Sequence, residues 1–494
     1  MKLKHLLAPA AFAALASLIA FAADEKPRGG GEGKRGGQRP QDAPTDDVRF
    51  LFRTDVPAHP LDVVLGRPTK DSVTVSVLAY EEREGVIAFG EKSGELAEKT
   101  SVFPLKKDEP VEVPLKGLRA NSQVFYQLST RAPGGEWKLQ PERSFRTQRV
   151  PGSAFTFTVQ ADPHLDFGVD TAVYEKSLAN ALAAKTDFHI DLGDTFMVDK
   201  RPTYTLAAPQ YVAQRYYFGL VGHSAPVFLV LGNHDGESMG GGRKEGGDGM
   251  AVWSNGMRKK YFPNPSPDGF YTGNATPHTK AGLLENYYAW EWGDALFIAL
   301  DQFWYSQRIR KDGGDNWGRT LGREQYEWLR KTLETSKAKY TFVFTHHLVG
   351  GATPEGRGGV EASHFFEWGG KELDGTSTFT EKRPGWAAPI HDLLAKRGSC
   401  VVFHGHDHIF VRGERDGVVY QLVPQPGHSR NDNTRNADEY GYKSGVKFGA
   451  SGIMRVSVSP EKAVVDYVRA YPAAAESAER KSGSVTYSYE VRPK

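Results

Sequence analysis

Val227-Phe228-Leu229-Val230-Leu231-Gly232-Asn233-His234-Asp235 is the stretch on which the rest of the chain is organised. Five large or β-branched apolar residues in a row, without alternation, predict a strand buried on both faces, as in a parallel sheet. The four residues after it then sit at the strand's carboxyl end, where open α/β sheets gather their ligand-binding loops. Asn233 offers a neutral amide oxygen to a divalent cation, and His234 beside it can pass a proton to a leaving group. Taken alone, the tetrapeptide reads first as an Asx turn closed by glycine with an exposed histidine. The choice rests on the other strand ends.

Those ends repeat the pattern. Asp162-Pro163-His164 follows a predicted strand at 155–159, and Gly193-Asp194 follows one that begins at 188. His346-His347 ends 341–345, and His404-Gly405-His406-Asp407-His408 ends 399–403. Further strands are expected at 286–292 and 295–300, with helices at 171–185, 322–336 and 386–397. The runs 418–423, 453–458 and 463–468 read as strands closing a second sheet. A single histidine at a strand end is usually an ordinary hydrogen-bonded residue, and His189, His223, His278, His364, His391 and His428 are read so. Five groups in series are not. Oxygen ligands with imidazoles and no thiolate suit Mn, Fe, Zn or Co, and a carboxylate shared between two such ions lets them clamp both the attacking and the leaving oxygen of a phosphoryl group.

Asp162-x-His164, Gly193-Asp194, Gly232-Asn233-His234-Asp235, His346 and Gly405-His406-Asp407-His408, in that order, resemble the calcineurin-like metallophosphoesterase family over roughly residues 155–470. The resemblance implies a four-layer αββα sandwich, an α/β (α+β) fold, and a binuclear centre. Asp162, His164 and His408 would hold one metal; Asn233, His346 and His406 would hold the other. Asp194 would bridge, and a hydroxide shared by the ions would attack phosphorus. His234 would protonate the leaving oxygen, steered by Asp235. In the doublet His346-His347 the first is expected to be the ligand.

The region before the site, 55–148, has short β-rich runs at 63–65, 72–77, 111–113 and 124–128 separated by turn signals, the spacing of an all-β sandwich. Its Leu118 to Tyr126 stretch resembles a fibronectin type III-like domain, and the order of the two parts resembles purple acid phosphatases. Two departures stand out. Purple acid phosphatases place a metal-binding tyrosine where this chain has Met197, and a glycine where it has His164. No tyrosinate-to-iron charge transfer is therefore expected, and a carboxylate role near Met197 is unfilled or passes to Asp199.

Length and composition set the frame. At 494 residues two domains are expected, taken as 55–148 and a catalytic part at 152–472, with 473–494 as a C-terminal tail. Residues 1–23 carry Lys2 and Lys4, an apolar stretch and Ala20-Phe21-Ala22, the form of a cleaved signal peptide; 24–50 is a Gly- and Arg-rich flexible linker. Export, periplasmic or secreted, follows, with no transmembrane segment in the mature chain. A net charge of +2 with mixed signs gives no nucleic-acid-binding signal. The lone Cys400 excludes an internal disulfide and reads as a small buried hydrophobe. Long glycine-rich insertions, 236–282 and 350–384, read as lids or walls; Lys244, Arg258, Arg357 and Arg383 are candidates to meet phosphate oxygens, and Trp253, Trp304, Trp317 and Trp368 to stack on a substrate or pack beneath the loops.

The expectation is an exported two-metal phosphoesterase acting on a small-molecule phosphate ester, leaning to monoesters. A phosphodiesterase uses the same clamp and is the alternative. A secreted binding module with a structural metal is the rival of another class, and it has no use for the free acid His234.

Overall fold

In the strand Phe155–Gln160, Phe155, Phe157 and Val159 face one side and Thr156, Thr158 and Gln160 the other, and this alternation places the core. The computed structural model describes residues 52–166, 168–201, 203–239, 249–307, 315–429 and 432–493; the signal peptide, the linker and Lys244 lie outside them. Phe155–Gln160 pairs in parallel with Phe188–Asp191, which pairs in parallel with Val227–Leu229. On its other edge it pairs antiparallel with Gly452–Val458, followed by Ala463–Arg469 and Val485–Val491. A second sheet of eight strands carries Ala295–Ala299, Tyr340–Phe344, Cys400–His404 and Val418–Leu422 as its parallel centre.

The two sheets face each other across a core dominated by aromatic rings. Phe157 stacks on Phe188 at 5.6 Å and meets Phe297 edge-on at 5.1 Å and Phe342 at 5.0 Å. Each such pair adds about 0.5–1.5 kcal/mol beyond area burial, so Phe157→Ala is expected to cost about 3–5 kcal/mol. Helices cover the outer faces. Thr171–Ala183, capped by Asp170, and Tyr204–Gly222, capped by Thr203, pack Leu178, Ala181, Tyr217 and Val221 against Ile453 and Val468. Gly322–Thr335 and Ile390–Arg397 pack Leu329, Leu333 and Leu394 against Ile298, Val343 and Val402. The result is four layers, αββα. Cys400 is buried in that second helix-covered face.

Ahead of these layers, Leu61–Gly66, Ser72–Ala79 and Val111–Lys116 form one antiparallel sheet, and Arg83–Gly90 with Gln123–Arg131 centres another. They enclose Val75, Val77, Ile87, Val124, Leu128 and Phe145. Helix Tyr204–Gly222 joins this sandwich to the rest: the fully buried Arg215 donates to Ser76 O at 3.0 Å and Tyr261 O at 2.8 Å. That helix has no single apolar stripe, because it packs against the sandwich through Tyr211 and Phe218 and against the sheet through Tyr217 and Val221. Period-based reading passes over it for that reason.

Two expectations need correction. The runs at 453–458 and 463–468 do not close a second sheet; they extend the first, because the inward-facing Met454, Val456 and Val465 complete the core around Phe157. Residues 473–494 are not simply a tail: Val485–Val491 pairs with Ala463–Arg469, and Val491, Tyr487 and Tyr489 pack on the same core. No helix among the described residues is long and apolar enough to cross a membrane.

Candidate metal centre

Each expected ligand lies just past a strand, and the backbone there is bent into conformations that side chains rarely adopt. Asp162, Asp194, His406 and His408 have φ of 57°, 54°, 80° and 63°. Such strain is held only where surrounding structure over-determines it. Two loops also approach more closely than any side chain permits: a Cβ on Gly232 would lie 2.0 Å from Asp194 N, and one on Gly405 would lie 2.6 Å from Asp162 Oδ2. The glycines of both motifs are there to let carboxylate-bearing turns meet.

Two groups of potential ligands result. Asp162, His164 and His408 form one; Asp194, His346 and His406 form the other. Asn233 joins the second, its Oδ1 3.0 Å from His346 Nε2. Asp194 stands between imidazoles, with Oδ2 3.2 Å from His346 Nε2 while Oδ1 accepts from His234 N at 2.8 Å. Asp162 Oδ2 accepts from His406 N at 2.8 Å; its Oδ1 is buried without a hydrogen bond, 3.4 Å from His408 Nε2.

These contacts fit cations. His346 Nδ1 donates to Leu192 O at 2.9 Å, so in the neutral ring Nε2 is a bare lone pair, yet it faces Asn233 Oδ1. His164 Nδ1 lies 3.0 Å from Asp166 Oδ1, and its Nε2 lies 3.1 Å from His408 Nε2. Acceptors converging on acceptors repel unless a proton or a cation sits among them. The titration of the cluster says the same. Burial opposes the charged form of His346, but the Asp194 carboxylate lifts it to about 10, and burial opposes ionisation of Asp194, but His346 and His234 hold its carboxyl well below the usual range. The site demands positive charge, and hard oxygen and imidazole donors suit a divalent metal.

His347 belongs to neither group; its Nδ1 donates to Leu348 O at 2.9 Å. The expected steering of His234 by Asp235 is corrected. Asp235 turns away, accepting from the backbone N–H of Gly232, Asp194, Thr195 and Phe196 at 2.7–3.0 Å and so tying two motif loops together. His234 Nδ1 instead meets Asp199, 3.0 and 2.9 Å from its two oxygens. Asp166 escaped the sequence reading entirely; a carboxylate two places after a candidate ligand was its only signal.

The candidate phosphate-binding arginines are also reassigned. Arg258 forms a fully buried pair with Glu237 at 2.6 Å, Arg383 pairs with Glu367 at 2.6 Å, and Arg357 pairs with Asp407. A guanidinium already matched to a carboxylate is not available to phosphate. Trp253 stacks on Tyr204 at 4.4 Å, Trp304 packs with Ala251 and Leu284, Trp317 with Phe366 and Phe379, and Trp368 donates to Tyr420 Oη at 3.0 Å.

A family described as calcineurin-like phosphoesterase matches residues 155–410. No curated protein matches the sequence. Among solved structures, PhoD superposes with a TM-score of 0.62 at 15% identity, over 91% of this chain and 92% of its own. A purple acid phosphatase from yellow lupin (Lupinus luteus) seeds superposes with a TM-score of 0.58 at 15% identity, over 88% of this chain and 74% of its own. At such identities the likeness is one of fold.

Proposed function

The chain belongs to the calcineurin-like phosphoesterase family and is a metal-dependent phosphoric ester hydrolase; within that class we propose that it cleaves phosphomonoesters outside the cytoplasm, with His234 as the acid for the leaving oxygen. One observation carries this reading. Beside the two ligand groups stands an imidazole that belongs to neither, its Nε2 4.0 Å from Asp194 Oδ2, its Nδ1 held by Asp199 and its side chain 23% exposed.

Asp162, His164 and His408 would hold one cation, Asn233, His346 and His406 the other, and Asp194 both. Bound there, two cations supply Lewis acidity and neutralise charge on the transferred phosphoryl group. The chain does the rest. Asp199 fixes the His234 ring with Nδ1–H directed at its own carboxylate, which points Nε2 toward the ester. A protonated Nε2 then delivers its proton to the departing oxygen. A purely structural metal site closes its coordination and has no role for such a group.

The lean to monoesters rests on architecture shared with the lupin phosphatase, a β-sandwich ahead of the catalytic sheets; a diester remains the alternative substrate. Export rests on the composition of residues 1–23, and amino-terminal sequencing of the exported protein should start near Ala23.

The decisive test assays metal-reconstituted protein on an alkyl monoester, nitrophenyl phosphate and a bis-nitrophenyl diester, with His234→Asn alongside. Turnover of the monoesters should exceed that of the diester. The variant should lose about a hundredfold to ten-thousandfold on the alkyl ester, which needs a proton, and far less on the nitrophenyl ester, which does not. Equal losses on both, or a lost metal, would remove His234 from the acid role.

A further inference from the structure

We propose that Asp166 is a positioning residue for the Asp162–His164–His408 cation position, holding the His164 ring so that its Nε2 lone pair faces the ion. The inference rests on the two-cation reading above. Asp166 Oδ1 lies 3.0 Å from His164 Nδ1, and the His164 side chain is almost wholly buried. The carboxylate is itself held by Gly168 N, which donates to Asp166 Oδ1 at 3.0 Å, in a turn closed by Val169 N donating to the Asp166 backbone carbonyl at 3.1 Å. Gln425 puts Nε2 3.4 Å from both ring nitrogens of His164 and so does not distinguish between them, while His408 Nε2 lies 3.1 Å from His164 Nε2 on the cation side. Asp166 is the carboxylate that stands against Nδ1.

The two cation positions therefore differ in what stands behind an imidazole ligand. His346 donates to a neutral backbone carbonyl, Leu192 O, whereas His164 Nδ1 has a carboxylate oxygen of Asp166 3.0 Å away. A carboxylate behind the ring raises the basicity of the opposite nitrogen and adds a negative charge near the ion. Asp166 thus strengthens one position and leaves the other untouched.

The test is metal affinity, independent of turnover. Full-length protein stripped with a chelator is titrated with Zn²⁺ by calorimetry and by competition with a chromogenic chelator. Two ions should bind per chain. Asp166→Ala should weaken one of them by about 10–100-fold and leave the other within about twofold of the original; Asp166→Glu should recover most of the loss. In a His164→Ala background, Asp166→Ala should change nothing further. Should the alanine variant fail to fold when metal-free, Asp166→Asn keeps an acceptor for Gly168 N but removes the charge, and must weaken the same ion. Unchanged affinity at both positions, or equal loss at both, overturns the role of Asp166. Fewer than two ions in the unaltered protein overturns the two-cation reading instead.

Discussion

The Asp199 carboxylate lies 2.9 Å from His234 Nδ1, although Asp235, the next residue in the chain, is the closer neighbour in sequence. A left-handed Met197, at φ 46°, and the short turn Val198–Lys200 bring Asp199 back over the Gly232 loop. Asp199→Ala should lower turnover of an alkyl phosphate about 10–100-fold, a part of what general acid catalysis contributes, with nitrophenyl phosphate much less affected and metal content unchanged. Steady-state kinetics on both esters, with metal analysis, checks it.

Asp194→Asn should lose activity and most bound metal together. Asp194 is the only carboxylate in its ligand group, and its charge offsets those of His346 and His234 or of the ions replacing a proton there. Two metals per chain with near-normal turnover would place the bridge elsewhere.

Arg258→Ala should destabilise the protein by about 3–5 kcal/mol, because it strands the fully buried Glu237 carboxylate without its partner. Arg258→Met with Glu237→Leu should recover a large share, since no buried charge is left. Denaturant midpoints measure both. A raised KM at unchanged stability would return Arg258 to the substrate.

His189 gives a pH dependence away from the centre. It is fully buried, its Nδ1 is 2.8 Å from Thr158 Oγ1, and burial pushes its pKa down to about 3. Below the ordinary histidine value of about 6.5 the unfolded chain binds a proton that the fold refuses, so stability falls with falling pH by up to about 1.4 kcal/mol per unit. His189→Gln should flatten that slope between pH 6 and 4.5 in denaturation curves of metal-free protein.

The protein as isolated should show no intense visible band. Met197 is buried where a tyrosine would be needed for charge transfer, and the nearby Tyr204 ring is stacked on Trp253. An absorption spectrum before and after reduction decides.

The strands and the potential ligands were legible in the sequence because both are local properties. An apolar run such as 227–231 declares a buried strand by residue type, and Asp162, Asp194, Asn233, His346, His406 and His408 announce themselves by following one. The doubly buried helix Tyr204–Gly222 and the last strand Val485–Val491 were not legible, since the first has no polar face and the second is ordered by the core it covers.

Partnership was decided by tertiary structure alone. Residue types at 235 and 199, or at 258 and 383, equally allow a catalytic partner, a phosphate contact or a structural tie. A hydrogen bond needs its atoms within about 3 Å and well aligned, and no spacing in a chain specifies that when the groups arrive on different loops. Closing the two sheets on the Phe157 core brought Asp199 to His234, turned Asp235 onto the backbone of Gly232 and Thr195, and buried Arg258 against Glu237. The sequence determined which donors and acceptors exist at the strand ends; the packing of the sheets determined which of them touch.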